Sequence, residues 1–263
     1  MSDEFRPKLS LQELKEFLDY KYKLYNRPSF IETDPVSIPH RFNTAEDIEI
    51  SGFLSATIAW GQRKSILKNA SRLMDQMGNA PYQFIMDASD EAFTRASEFV
   101  HRTFNREDTL FFLKSLRYIY RSKGGLRTVF ETAYKEHGDV KMSLASFREV
   151  FLASQPVSRT GKHVSDVTKG SSAKRLNMFL RWMVRSDRCG VDFGIWKNIP
   201  SSALYLPLDV HTGNVSRKLG LLQRKQNDWN AVEEITSQLR KFDSNDPVKY
   251  DFALFGLGVF EKF

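Results

Sequence analysis

Cysteine is nearly absent from this chain, which has Cys189 as its one cysteine among 263 residues. A single cysteine excludes an internal disulfide framework, a multi-cysteine zinc site and a four-cysteine iron–sulfur cluster. The histidines show no metal-ligand spacing either. We therefore expect neither a cofactor nor a metal site in this protein.

Long apolar runs are also missing, since no stretch approaches the roughly eighteen consecutive apolar residues that a membrane-spanning helix needs. The first residues, MSDEF, lack the basic-then-apolar pattern of a signal peptide. These two absences predict no membrane association and a cytoplasmic location.

The chain is instead rich in phenylalanine and in positive charge. It has 21 Phe and a formal net charge of +7, with an isoelectric point near 9.4. Many Phe residues favour large helix-packing cores. The basic balance favours a polyanionic partner, with nucleic acid as the first candidate, although a basic protein without such a partner has the same composition.

Apolar residues recur with helical spacing almost throughout, so we predict an all-α fold of ten or more helices and no strands. Thr44 predicts a helix start, and the prolines of residues 26–42 predict an extended connection. One lobe would comprise residues 44–153 and the other residues 1–43 plus 154–263, with a cleft between them. The predicted helices cover residues 9–25, 44–59, 62–77, 81–87, 91–100, 108–122, 126–137, 141–152, 173–185, 209–219, 229–241 and 247–260.

The most informative motif is the stretch LPLDVHTGNVSRKLGLL at residues 206–222. It places Asp209 and His211 at the start of a short basic helix that Gly220 ends. A carboxylate at a helix start is stabilised by unpaired N–H groups and by the helix dipole. Asp209 is therefore either a helix cap or a catalytic carboxylate, with His211 as its support or its packing neighbour.

This motif resembles the V-D-T-H-x-x-R-V-x-x-R-L-G-L segment of the endonuclease III branch of helix-hairpin-helix DNA glycosylases. The resemblance implies that Asp209 is the catalytic carboxylate. A second stretch, ISGFLSAT at residues 50–57, resembles the L-L-S-A-Q-T helix of the same enzymes. It implies that Trp60 and Gln62 face DNA; the alternative is that Trp60 belongs to the core.

In that family a lysine at the start of the hairpin's second helix attacks the sugar. Lys174 has this position, in the first turn of a helix after a Gly-Ser turn and 35 residues before Asp209. That spacing is closer to the archaeal 8-oxoguanine glycosylases than to endonuclease III. Lys197 is a competing candidate, and a solvated surface lysine is the other interpretation of Lys174.

The hairpin is atypical because the L-P-G-V-G signature of the family is missing. The turn and the two helices would still contact DNA phosphates through backbone N–H groups and cationic side chains. The predicted contacts are Gly170, Ser171, Ser172, Arg175, Arg181, Arg217 and Lys218. The C-terminal aspartates Asp243, Asp246 and Asp251 are predicted to be caps and solvated carboxylates.

Over nearly its full length the chain resembles an uncharacterised bacterial family that carries a domain-of-unknown-function label. The runs AKRLNMFLRWMVR and DPVKYDFALFGLGV carry this resemblance. Our hypothesis is a DNA base-excision glycosylase, with or without lyase activity on abasic sites. The alternatives are a non-catalytic nucleic-acid-binding protein of the same fold and a protein–protein scaffold.

Overall fold

A computed structural model describes residues 9–154, 156 and 159–263, and in these residues the chain is helical without named strands. This confirms the predicted all-α class. We number the α-helices in chain order: α1 Leu11–Tyr25, α2 Ala45–Thr57, α3 Arg63–Gln76, α4 Pro81–Asp87, α5 Asp90–Ala96, α6 Arg106–Ser122, α7 Leu126–His137, α8 Val140–Ala153, α9 Lys174–Val184, α10 Val210–Lys218, α11 Trp229–Phe242 and α12 Tyr250–Val259.

Short polar side chains start most of these helices. Thr44 caps α2 as predicted, because its hydroxyl accepts the N–H of Asp47 at 3.3 Å. Ser10 and Glu13 close a reciprocal capping box at the start of α1. Such caps satisfy backbone donors that have no partner inside the helix.

The segment at residues 26–42 is more compact than the extended connection we predicted. It forms three 3₁₀ helices, Pro28–Thr33, Pro35–Ser37 and Pro39–Arg41, each with a proline at its start. A proline suits this position because its φ is already near the helical value and its missing N–H would have no partner there. The prolines therefore begin short helices here instead of preventing them.

Helix α2 lies in the centre of the larger hydrophobic core. All of its residues from Ile48 to Thr57 are buried, and it packs against α9. Gly52 allows this close approach, since a Cβ atom there would lie 3.2 Å from Cε of Met183. The one charged residue in this buried stretch, Glu49, accepts hydrogen bonds from Tyr120 and Trp196.

A second, smaller core joins α1, α10, α11 and α12. Helix α12 approaches α1 closely at Gly256, where a Cβ atom would lie only 2.1 Å from the ring of Tyr25. Helix α9 belongs to the larger core, as do residues 191–204. The division into two lobes at residue 153 stays a prediction.

The two cores are linked by a buried ion-pair network that begins on α9. Arg181 pairs with Asp251 of α12, and its Nε lies 3.2 Å from Oδ1 of Asp192. Arg185 binds the other oxygen of Asp192 at 2.9 Å and Asp246 at 2.9 Å. The guanidinium of Arg181 is therefore buried against two carboxylates and not exposed as a DNA contact requires; that contact stays a prediction.

We expect Asp192→Asn to lower the free energy of unfolding by about 3–5 kcal/mol, because the substitution leaves two buried guanidinium groups short of a charge partner. Chemical denaturation measures this loss. Asp90→Asn is the control, since the Asp90 side chain is 85% exposed and its ion pair with Arg117 should contribute less than about 1 kcal/mol. Equal, small losses in both variants would contradict the importance of the network.

Candidate active site

A cleft of about 710 Å³ opens between the two cores. Elements from both ends of the chain form it: the 3₁₀ segment, the α2–α3 loop, α9, the start of α10, and α12. Aromatic and aliphatic side chains form most of its wall, whereas charged groups cluster at the floor and mouth. Its lining includes Phe30, Asp34, Trp60, Arg63, Ser172, Lys174, Arg175, Met178, Arg181, Asp209, His211, Asn227, Asp251 and Phe255.

Lys174 and Asp209 meet in this cleft, although 35 residues separate them in the sequence. Nζ of Lys174 lies 3.8 Å from Oδ2 of Asp209 and 3.6 Å from the sulfur of Met178. Both charged side chains are about three-quarters buried, with 25% and 23% of their surface exposed. An amine and a carboxylate are thus held together where a ligand can still reach them.

The backbone that delivers Lys174 is strained. Ala173, the residue before α9, has a φ of +46°, in the left-handed region that side chains other than glycine rarely adopt. Its side chain is buried, so packing holds it in place. Conformations of this kind cost about 1–3 kcal/mol and concentrate at functional sites.

The carboxylate of Asp209 is fixed by its own helix. Oδ1 accepts the N–H of Thr212 at 2.9 Å, while the N–H of Asp209 donates to the Thr212 hydroxyl at 2.8 Å. Asn227 then donates its amide to the Asp209 carbonyl at 3.0 Å. Asp209 is therefore a helix cap, and its Oδ2 still points toward Lys174.

Arg217 is partly exposed and supports Asp209 indirectly through Asn227. Its guanidinium donates to Oδ1 of Asn227 at 2.6 Å and to the carbonyl of Arg224 at 2.8 Å. Gly213 leaves room for this contact, since a Cβ atom there would lie 2.8 Å from Asn227. Arg217 thus makes a positioning contact, and its predicted phosphate contact stays a prediction. Lys218 is exposed, as a phosphate contact requires.

Trp60 forms one side of the cleft and is half-buried. Its ring stacks on His163 at 5.8 Å, and the guanidinium carbon of Arg175 lies 4.9 Å above it. Burial lowers the pKa of Arg175 to about 10. Arg175 donates to the carbonyls of Thr57 and His163 and packs on the Trp60 ring. Its guanidinium is therefore bound within the protein, whereas we predicted that it contacts a DNA phosphate.

The remaining predicted residues lie around the mouth or in the turn before α9. His211 and Gln62 are exposed, and His211 lines the cleft beside Asp209. Gly170 has a φ of +83° and accepts the N–H of Trp229 at 3.0 Å. The Ser171 hydroxyl accepts the N–H of Ala173 at 3.3 Å, and Ser172 lines the cleft.

Two buried carboxyl groups of the cleft were not identified from the sequence. Asp251, which we predicted to be solvated, is 6% exposed. Burial raises its pKa to about 6, while the pairing with Arg181 opposes that rise. Asp34 is 7% exposed, and burial also raises its pKa. The sequence offered one signal for Asp34, an Asp-Pro step that starts a turn.

The described part of the chain contains no cluster of three or more His, Cys, Asp or Glu residues arranged to hold a metal ion. No helix in the described ranges is both long and apolar enough to span a membrane.

A family model described as "Protein of unknown function (DUF2400)" matches residues 34–260. The chain belongs to this family. Comparison with curated proteins gives no match, and comparison with solved structures gives none either. The family description carries no activity.

Trp60 should account for the solvent-accessible tryptophan fluorescence, because Trp182, Trp196 and Trp229 are at most 1% exposed. We expect Trp60→Phe to abolish most of the acrylamide quenching that the folded protein shows. In denaturant both proteins should be quenched alike, which serves as the control. Undiminished quenching of the folded variant would place the accessible tryptophan elsewhere.

Proposed function

We propose that the protein is a DNA base-excision glycosylase that also cleaves abasic sites, with a helix-hairpin-helix glycosylase-like fold. The contact between Lys174 and Asp209 at 3.8 Å carries this proposal. An exposed lysine on a helix surface needs no such partner, whereas an amine that forms a Schiff base requires a neighbouring base and a water-poor setting.

The reaction assigns a separate task to each member of the pair. Lys174 attacks C1′ of the damaged nucleotide only as a neutral amine, so its ammonium group must first lose a proton. Oδ2 of Asp209 is placed to accept that proton and to stabilise positive charge that develops on the sugar. The Thr212 and Asn227 contacts hold Asp209 in position for both tasks.

DNA fits the surroundings of the pair. The cleft volume of about 710 Å³ can accommodate a flipped nucleotide, and its wall contains the accessible face of Trp60. Exposed Lys64 and Lys68 on α3 and Lys218 on α10 add positive charge on these elements. The net charge of +7 acts in the same direction.

Borohydride trapping tests the assignment of Lys174. We expect the wild-type protein to form a covalent adduct with duplex DNA that contains an abasic site, because borohydride reduces a Schiff base. Lys174→Gln should form none while keeping its affinity for the duplex. Lys197→Gln is the matched control and should be trapped like the wild type, since Lys197 does not line the cleft.

Trapping that persists in Lys174→Gln would exclude Lys174 as the nucleophile. Absence of any adduct with the wild-type protein, together with salt-sensitive duplex binding, would favour the non-catalytic binding protein. No duplex affinity even at low salt would leave the protein–protein scaffold as the interpretation.

Salt dependence tests the DNA interface independently of the chemistry. We expect the logarithm of the affinity of Lys174→Gln for a duplex to fall linearly with the logarithm of the salt concentration. A second substitution, Lys218→Gln, should reduce the magnitude of that slope by about 1 if Lys218 contacts a phosphate. Lys197→Gln, added to Lys174→Gln in the same way, should leave the slope unchanged. Equal slopes for Lys174→Gln and for both double variants would show that Lys218 does not contact a phosphate.

A further inference from the structure

Asp34 is a buried carboxyl group of the cleft, and it has no role in the reaction proposed above. Its Oδ1 accepts the N–H of Val36 at 3.1 Å. Within the described residues, no Lys, Arg or His nitrogen lies within 4.0 Å of either oxygen, and Oδ2 has no hydrogen-bond donor. The residue is nevertheless buried, with 7% of its surface exposed, and it lines the cleft.

Other buried aspartates in the described chain are satisfied. Asp192 pairs with two arginines, and Asp251 pairs with Arg181. Asp108 accepts the Thr160 hydroxyl at 2.8 Å and lies 3.2 Å from Nε2 of His163. An ionised carboxylate without such partners is costly to bury, so a group in the position of Asp34 favours its neutral, protonated form.

Burial favours this protonated state, whereas the surrounding cations and the Val36 hydrogen bond oppose it. Burial raises the pKa of Asp34, and the cations Arg181, Arg63 and Lys174 reduce that rise without removing it. Pro35 follows directly and begins the 3₁₀ helix that Asp34 caps. The carboxyl group is therefore held by a stiff turn, with its unpaired oxygen available to a molecule in the cleft.

We propose that Asp34 is the general acid that protonates the departing base, an inference that rests on the proposed glycosylase function. The amine of Lys174 forms a bond to C1′ while the bond between C1′ and the base nitrogen breaks. The electron pair of that bond moves onto the base, which takes the proton of the Asp34 carboxyl group. Asp34 becomes a carboxylate. The new ammonium adduct loses its proton to water in the open cleft, because Asp209 already holds the proton that it took from Lys174.

Asp251 does not fit this task as well as Asp34. It lies at the floor of the same cleft, but its carboxylate accepts a charged hydrogen bond from Arg181. A guanidinium partner favours the ionised form, which has no proton to give. Asp34 is thus the buried acid that carries a proton, whereas Asp251 is the carboxylate that links α12 to α9 through Arg181.

The proposal predicts different effects on the two steps of the reaction. An abasic site has no base to protonate, so Asp34→Asn should form the borohydride adduct with abasic duplex to within about threefold of the wild type. Release of a damaged base from duplexes with 8-oxoguanine, thymine glycol or uracil should fall at least about 100-fold, the typical minimum for general acid catalysis. Base release is measured by chromatography and trapping by gel electrophoresis.

Asp166→Asn is the matched control. Asp166 accepts the N–H of Thr168 at 3.1 Å in the same type of turn, but it does not line the cleft. An asparagine keeps that acceptor at both positions, so both variants should fold, and only Asp34→Asn should lose base release.

Unchanged base release in Asp34→Asn, or an equal loss of trapping and base release, would overturn the role of Asp34 and leave the function of Lys174 intact. Wild-type protein that traps abasic DNA but releases none of the three bases would also overturn it. Wild-type protein that traps nothing would overturn the proposed function, and the role of Asp34 with it.

Discussion

The structure depends on two buried arginines, Arg181 in α9 and Arg185 directly after it. Breaking a buried ion pair leaves an uncompensated charge, and Arg181 is paired with one carboxylate from the following loop and one from α12. The ion pair with Asp251 therefore connects the two hydrophobic cores at the floor of the cleft. Hydrophobic contacts stabilise each core, but this pair fixes how α9 faces α12.

The same helix also places the reactive amine. Lys174 and Arg181 are seven residues apart, which is about two helical turns, so they lie on the same face of α9. Lys174 belongs to a helix of the larger core, whereas Asp209 starts a helix that packs in the smaller one. The distance between Nζ of Lys174 and Oδ2 of Asp209 therefore depends on how the two cores are positioned relative to each other.

Local patterns predicted what local interactions decide. Thr44 and Asp209 were identified as helix caps from the sequence, because a cap involves residues only three positions apart. The prolines at residues 26–42 misled the prediction, since a proline favours extended backbone in the residue before it but also suits the first position of a short helix. The resemblance to glycosylases placed Lys174 and Asp209 in one site, and their contact at 3.8 Å agrees with that placement without establishing the activity.

Long-range interactions explain what the local patterns did not predict. The sequence shows that Arg181, Arg175 and Arg217 are cationic, but it does not show the buried acceptors that bind each of them. Asp34 and Asp251 likewise have no local signature of burial, because residues far away in the chain cover them. Charged residues with distant partners are therefore the least predictable part of this site.

The left-handed conformation of Ala173 has a consequence for how this family can vary. It fixes the residue at which α9 begins, and Arg181 fixes the rotation of the helix two turns later. A single inserted or deleted residue between these points would rotate Lys174 by about 100° around the helix axis relative to Arg181. The amine would then leave the cleft, so length changes in this segment are incompatible with a Lys174 that faces Asp209.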